Sequence, residues 1–207
     1  MFRQLLITVV AATVAITAPS LASDDVPTRA EDVQPIEVGA AAPGFVARNA
    51  DGSEFEFDPA QQDRTLLIFY RGGWCPYCNR HLMSLQNVVP KLKESGVDVL
   101  FLSADSPERL YSSLEDETLD YTLLSDASMS ASRAFGVAFQ VDDETVERYK
   151  GFGIDLEEAS GFDHHILPVP AVYLIEDGKV AFMHADSDYK KRLEGDKILS
   201  AAGLSGD

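Results

Sequence analysis

The sequence predicts an α/β fold, a central sheet with helices on both faces. Three observations predict it. Apolar runs of strand length alternate with segments of helical spacing from Arg64 to Ala202. The run from Arg64 to Tyr70 is apolar almost throughout, as a central strand covered on both sides requires. Asp177-Gly178 sits between two strand-like runs, the signature of a tight hairpin.

The elements follow in chain order. Residues 1–22 read as a cleavable signal peptide: Arg3, then an apolar stretch from Leu5 to Ala18, then the small-x-small site Ser20-Leu21-Ala22. That stretch is short for a membrane span, which needs about 20 apolar residues. The expected product begins at Ser23 and is periplasmic or secreted. Residues 23–35, with Asp24, Asp25, Glu31 and Asp32 and few apolar side chains, are expected to be a flexible acidic leader. Residues 36–207 then form one domain. Asn49-Ala50-Asp51-Gly52 turns between short strands, and Glu54-Phe55-Glu56-Phe57 alternates as a strand does.

After Cys78, Leu82, Leu85, Val89 and Leu92 recur at helical spacing; Pro90 should kink or divide that helix, and Ser95-Gly96 ends it. Val97 to Ser103 is a buried strand, and Ser106-Pro107-Glu108 starts a helix reaching about Glu115. Tyr121 to Leu124 is a short strand, and a helix spans Ser128 to Phe135 before Gly136. Residues 142–167 are acidic, carry Gly151, Gly153 and Gly161, and interrupt the alternation, so they are expected to be an inserted helix-loop near the site. Ala171–Glu176 and Lys179–His184 form the hairpin, and Lys190 to Ala202 is expected as a closing helix.

The chemistry centres on Trp74-Cys75-Pro76-Tyr77-Cys78, which holds the only two cysteines in 207 residues. A strand leads in through Arg71-Gly72-Gly73 and a helix leads out, which is the layout of a thioredoxin-like redox site. A free cysteine is only about 3% thiolate at neutral pH, and a helix N-terminus raises that share. Pro76 suits the first helical position, where no N–H is needed. Cys78 lies one turn on and can resolve a mixed disulfide. A purely structural disulfide would close a longer loop, and zinc would need two more ligands than the pair supplies, so no metal or other cofactor is expected. The formal charge of −17 disfavours nucleic acid and anionic lipid.

From about Val38 to Leu199 the chain resembles the AhpC/TSA family of peroxiredoxin-like proteins in the thioredoxin superfamily. The resemblance rests on Val38-Gly39, Ala42-Pro43-Gly44-Phe45, Asp51-Gly52, the strand Leu67 to Tyr70 into the cysteines, Leu102-Ser103-Ala104-Asp105-Ser106, Leu124-Ser125-Asp126 and Phe135-Gly136-Val137. It implies a thioredoxin-like, peroxiredoxin-type fold with a central mixed sheet of about five strands flanked by helices. The family's site Pro falls at or near Arg71, its Thr at Cys75, its peroxidatic cysteine at Cys78 and its later Arg at Pro170, so the usual Pro, Thr and Arg are absent. Cys-Pro-Tyr-Cys resembles the glutaredoxin dithiol instead. Val169-Pro170 before a strand resembles the cis-proline of thioredoxin folds, so a cis bond is expected there.

Cys75 and Cys78 are therefore the expected catalytic and redox pair, with Arg71, Trp74, Pro76, Tyr77 and Pro170 shaping the site. Arg71 either favours the thiolate or orients a peroxide, or it simply pairs outward; Trp74 either shields the dithiol or packs in the core. His164 and His165 precede Pro170 and could approach the sulfurs, and His81 on the redox helix is expected to be solvated. The first function expected is an exported thiol peroxidase cycling through a Cys75–Cys78 disulfide, with an external thiol donor, thioredoxin-like or membrane-linked, as reductant. The alternatives are a thiol-disulfide oxidoreductase acting on protein disulfides, with Cys75 entering, and a Cu(I)-delivery protein using the thiolates. The family alignment makes Cys78 the attacking sulfur, whereas exposure at the helix terminus favours Cys75. The resemblance leaves a homodimer open.

Overall fold

The computed structural model describes residues 26–114 and 122–205. The expected signal peptide lies outside the described residues, as do residues 23–25 of the leader.

The main sheet has seven strands rather than about five, in the order β2-β1-β5-β4-β3-β8-β9. These are β1 (Phe45–Asn49), β2 (Glu54–Phe57), β3 (Arg64–Tyr70), β4 (Asp98–Ser103), β5 (Thr122–Ser125), β8 (Ala171–Glu176) and β9 (Lys179–Ala185). The β1–β2 hairpin accounts for the extra strands at one edge, because β1 adds antiparallel to β5 through Arg48–Ser125 and Asn49–Leu124. The β3–β4 and β4–β5 pairs are parallel and the β3–β8 pair is antiparallel, so the sheet is mixed. Strands β6 (Ala138–Gln140) and β7 (Ile166–Pro168) form a separate small ladder.

The two-residue period of β3 sorts its side chains between two cores. Leu66, Ile68 and Tyr70 join the cluster that holds Cys75, Cys78, Leu85, Leu92 and Ile198. Leu67 and Phe69 face the other way, with Phe45, Phe57, Phe135 and Tyr173. On that second face the Phe135 and Tyr173 rings meet edge to face at 4.9 Å, and the Tyr173 hydroxyl donates to the Phe135 carbonyl at 3.1 Å. Helices α1 (Pro76–Ser84), α2 (Val89–Glu94) and α7 (Gly195–Ala201) cover the first face, and α4 (Ser130–Ala134) covers the second. Helix α3 (Pro107–Leu114) lies between β4 and β5 in the chain. The break between α1 and α2 leaves Pro90 in the first turn of α2, where its missing N–H costs nothing.

Three further expectations change. Residues 26–35 are not a loose leader but are docked on the domain. Pro27 accepts from the Gln140 N–H at 2.8 Å, the Ile36 N–H donates to Phe135 at 3.2 Å, and Ala30, Val33 and Ile36 pack on the aromatic core. The few apolar residues of an acidic stretch are spaced to reach one groove. The closing helix starts at Gly195, not Lys190. Upstream of it, the Asp186 and Asp188 side chains capture the N–H groups of Asp188 and Lys190, offering the backbone a turn in place of a helix. Finally, no peptide among the described residues is cis, so Val169–Pro170 is trans. The Val169 N–H donates to Val137 and Pro170 accepts from the Asp186 N–H, which holds an extended run between β7 and β8.

The 142–167 stretch resolves into α5 (Asp143–Gly151) and α6 (Leu156–Ser160). Two of its aspartates are caps: Asp142 accepts from the Thr145 N–H and Asp155 from those of Glu157 and Glu158. Val146, Leu156, Ile166 and Leu167 form a third core, against which Val26, Trp74 and Tyr149 pack.

Gly136 tests the docking of the leader. Its φ is +68°, and a Cβ there would stand 2.0 Å from the Gln34 carbonyl oxygen. Gly136→Ala is expected to lose about 1–2 kcal/mol from backbone strain alone, with a further loss from the clash. The check is a urea denaturation curve together with limited proteolysis, in which cleavage within residues 26–35 should accelerate.

Candidate active site

Strand β3 ends at Tyr70 and the chain turns through Arg71, Gly72 and Gly73 into α1. Gly72 has φ +142°, and a Cβ there would meet Trp74 Nε1 at 2.3 Å and Asp105 Oδ1 at 2.7 Å. Only glycine lets the turn pass so close to both. Asp105, at the end of β4, fastens it: Oδ2 accepts from the Gly73 N–H at 2.6 Å and from the Ser103 hydroxyl at 3.0 Å. Burial raises the Asp105 carboxyl above its ordinary value, and these two donors pull it back.

Cys75 is the residue immediately before α1, and Pro76 occupies its first turn. The Cys75 carbonyl accepts from the Cys78 and Asn79 N–H groups. Both cysteines are reduced, and neither is exposed as the helix-terminus argument expected: Cys75 is 2% and Cys78 0% accessible. The Cys75 thiol is pulled down to about 6. The Cys78 S–H donated to it is the main cause; the Cys78 backbone N–H and the Arg71 and Arg192 charges add to this, against the opposing effect of burial. Cys78 moves the other way: it gives its proton to the shared bond, is buried, and faces the Cys75 charge. The Arg71 backbone N–H and Arg192, whose Nη2 donates to Cys78 Sγ at 3.2 Å, oppose that rise.

Arg71 does not pair outward. It is 3% exposed, with its guanidinium carbon 5.1 Å from the Trp74 ring centroid, 5.3 Å from that of Tyr149 and 4.5 Å from that of Tyr189. Its Nη2 donates to the Tyr149 hydroxyl. Trp74 is half-buried and serves as one wall of this cage. Tyr77 is also half-buried and meets Tyr189 edge to face at 5.7 Å. Pro170 is buried, and with His81 and Arg192 it lines a small cleft beside the dithiol helix.

The histidines differ from expectation. His81 is buried, not solvated. Its Nε2 meets the Leu193 carbonyl oxygen at 3.0 Å; an oxygen of that kind only accepts, so Nε2 carries the proton. Burial pulls His81 down to about 4, so it is neutral at pH 7. It thereby ties α1 to the segment carrying Arg192. His164 and His165 do not join the sulfurs. His164 bonds the Ala127 carbonyl and the Ile166 N–H, and His165 pairs with Glu157. Among the described residues no three His, Cys, Asp or Glu side chains cluster as a metal site would need.

Tyr149, Tyr189, Arg192 and Asp105 are the site residues that sequence reasoning missed. Asp105 stood within a family mark, but nothing in the local pattern around Arg192, Tyr149 or Tyr189 points to the sulfurs.

The model of the AhpC/TSA family matches residues 38–183. Over 105 residues the chain is 36% identical to peroxiredoxin Bcp of Escherichia coli, covering 51% of this chain and 67% of that protein. It is 24% identical over 166 residues to the thiol-disulfide oxidoreductase ResA of Bacillus thuringiensis, covering 79% of each. Among solved structures, a peroxiredoxin-like protein from Aquifex aeolicus superposes with a TM-score of 0.65 at 20% identity, over 82% of this chain and 88% of that one. Peroxidoxin BcpB from Mycobacterium tuberculosis superposes with a TM-score of 0.59 at 19% identity, over 80% and 96%. These two show the shared fold.

The donated S–H bond sets a testable order. Titration of the ultraviolet thiolate absorbance should show one sulfur ionising near pH 6. Cys78→Ser keeps a donor and should leave that midpoint low, whereas Cys78→Ala should move it towards the ordinary thiol value of 9.0. Linkage gives a second outcome. Between about 6 and the ordinary 9.0 the native reduced state binds fewer protons at Cys75 than the unfolded chain does. The stability of the reduced protein should therefore rise with pH across that window, and this contribution should vanish as pH falls through 6. Urea midpoints of reduced protein, compared with those of Cys75→Ser, check it.

Proposed function

The chain belongs to the AhpC/TSA family and is a thiol-dependent oxidoreductase, and on that footing we propose that it reduces hydroperoxides through a Cys75–Cys78 dithiol-disulfide cycle. The observation that carries this reading is the ionised sulfur with almost no exposed surface: Cys75 is pulled down to about 6 yet is 2% accessible. A small peroxide can reach such a sulfur with side-chain motion only. A protein disulfide must bring its own sulfur into line with the attacking one, which needs an open face.

The Cys75 thiolate attacks one peroxide oxygen and the O–O bond breaks. Cys75 becomes a sulfenic acid, and the leaving alkoxide or hydroxide takes up a proton. The negative charge at Cys75 is then gone, and with it the main opposition to ionising Cys78. Arg192 and the Arg71 N–H are already placed to hold the new thiolate. Cys78 attacks the sulfenic sulfur, hydroxide leaves as water, and the disulfide forms. An external dithiol of the thioredoxin type, free or membrane-linked, reduces it by exchange once the oxidised site opens to admit the donor's sulfur. Export to the periplasm or beyond belongs to the same proposal, supported by the charged, apolar and small-x-small order of residues 1–22.

Protein disulfide exchange is the second reading. It is favoured by the match to ResA over 79% of the chain and by the Cys-Pro-Tyr-Cys pair at the start of α1. Rapid mixing of reduced protein with one equivalent of hydrogen peroxide separates the two, read by Trp74 fluorescence and thiol loss. The expected result is oxidation orders of magnitude faster than free cysteine. Cys75→Ser should abolish it, and Cys78→Ser should leave one turnover that stops at sulfenic acid. A rate equal to that of free cysteine would overturn the peroxide reading in favour of exchange.

A further inference from the structure

Beside the dithiol lies a cavity of about 260 Å³ whose walls include Thr28, Gln140, Thr145, Tyr149 and Tyr189, with Arg71 among them. Arg71 is 97% removed from water, counting from its 3% exposure. Its Nε is buried without a hydrogen-bond partner, and its one side-chain donation goes to the Tyr149 hydroxyl. No carboxylate among the described residues pairs with it. The chain has 34 acidic residues against 17 basic ones, so acidic partners are plentiful. Buried charges are ordinarily paired, because taking a charge out of water is costly and a partner offsets that cost. Aromatic faces and the Cys75 thiolate offset part of this cost, and the arginine, with no carboxylate beside it, is part of the cavity wall.

We propose that this cavity is a binding site for a small organic monocarboxylate, anchored by the Arg71 guanidinium against the walls formed by Thr28, Thr145, Tyr149 and Tyr189. Planar guanidinium matches carboxylate, and the remaining wall is mixed, with Ala30, Phe139, Val169 and Pro170 available to a short hydrocarbon body. Arg29, Glu31 and Asp142 also line the cavity, Arg29 being offset by Glu31 at 3.5 Å, so the charge these three add is negative and disfavours multiply charged anions such as phosphate esters. The docked leader residues Thr28–Glu31 supply one wall, so the site exists only because residues 26–35 are folded down. Arg71 stands between the cavity and Cys75, and its charge acts on that sulfur. The inference rests on the peroxidase reading for one clause only, that such a carboxylate is the handle of the substrate hydroperoxide.

The site is tested without the sulfur chemistry. The Cys75→Ser/Cys78→Ser protein is titrated calorimetrically with hexanoate and with hexanamide, a neutral analogue of the same length. Saturable hexanoate binding is expected, with hexanamide weaker by at least about tenfold. Arg71→Met should abolish the difference and Arg71→Lys should retain part of it. Thr145→Phe, which fills the cavity and leaves Arg71 in place, should also lose hexanoate; circular dichroism confirms that each variant is folded. Equal binding of acid and amide, no saturation up to about 10 mM, or hexanoate binding unchanged in Thr145→Phe would overturn the proposal. The substrate clause is read separately on wild-type protein. A carboxylate-bearing alkyl hydroperoxide should react at least about tenfold faster than its amide at subsaturating concentration, and equal rates would remove that clause. Failure of the peroxidase reading would appear as inertness to both hydroperoxides, with the calorimetric result unaffected.

Discussion

A negative charge on Cys75, held where almost no water reaches, is the constraint that organises this molecule. Burial alone would push a thiol up, so every departure in the other direction needs a donor or a cation. The Cys78 S–H supplies the largest share, the Cys78 backbone N–H adds to it, and Arg71 and Arg192 provide the charge. The hydrogen bond between the sulfurs separates them chemically: Cys75 is held towards the thiolate, while Cys78 is held towards the protonated thiol. A Cys-x-x-Cys spacing across the first turn of a helix gives that bond its geometry, and β3 delivers the helix to it.

Around this pair lies a scaffold whose parts act through others. Asp105 does not touch the sulfurs; it fixes the Gly73 N–H and so the turn from which Cys75 projects. His81 does not titrate near neutrality; as a neutral donor it holds the Leu193 carbonyl and so keeps Arg192 beside Cys78. Tyr149, from the inserted α5, and Tyr189, from the segment after β9, enclose Arg71 with Trp74. The three elements that contribute the cage are far apart in the chain, so its integrity depends on the whole domain being closed.

That distance also decides what could be read from the sequence. Strands β3, β4, β5 and β8 were legible because burial on both faces leaves a near-continuous apolar run, and α1 because its hydrophobic spacing follows a motif. Cys75, Cys78, Pro76 and Trp74 were legible because they are consecutive. Arg71 was visible as a residue but not as a buried one, since only the folded chain brings Tyr149 and Tyr189 over it. Arg192 sits among Lys190, Lys191 and Glu194, where the local pattern signals a solvated stretch or a helix. The Asp186 and Asp188 turns that delay α7 to Gly195 free this residue to reach Cys78. The leader was misread because composition reports average polarity, whereas docking needs only Ala30, Val33 and Ile36 at the right spacing and Gly136 to admit the backbone.

The departures from the family pattern acquire a physical sense from these contacts. The position of the family's Thr holds a second thiol, and the position of its later Arg holds Pro170, so neither residue is available beside the sulfurs. This chain places its cations elsewhere, one just before the redox helix and one after the last strand. Arg71 stands at or near the place where the pattern has Pro, and instead of being paired by a carboxylate it is wrapped in aromatic rings. That arrangement keeps its charge unneutralised, which suits both a thiolate on one side and an anionic ligand on the other. A carboxylate partner would have stabilised the buried arginine more directly, and it would have cancelled the field that lowers Cys75. The aromatic cage is the solution that satisfies burial while leaving the charge free to act.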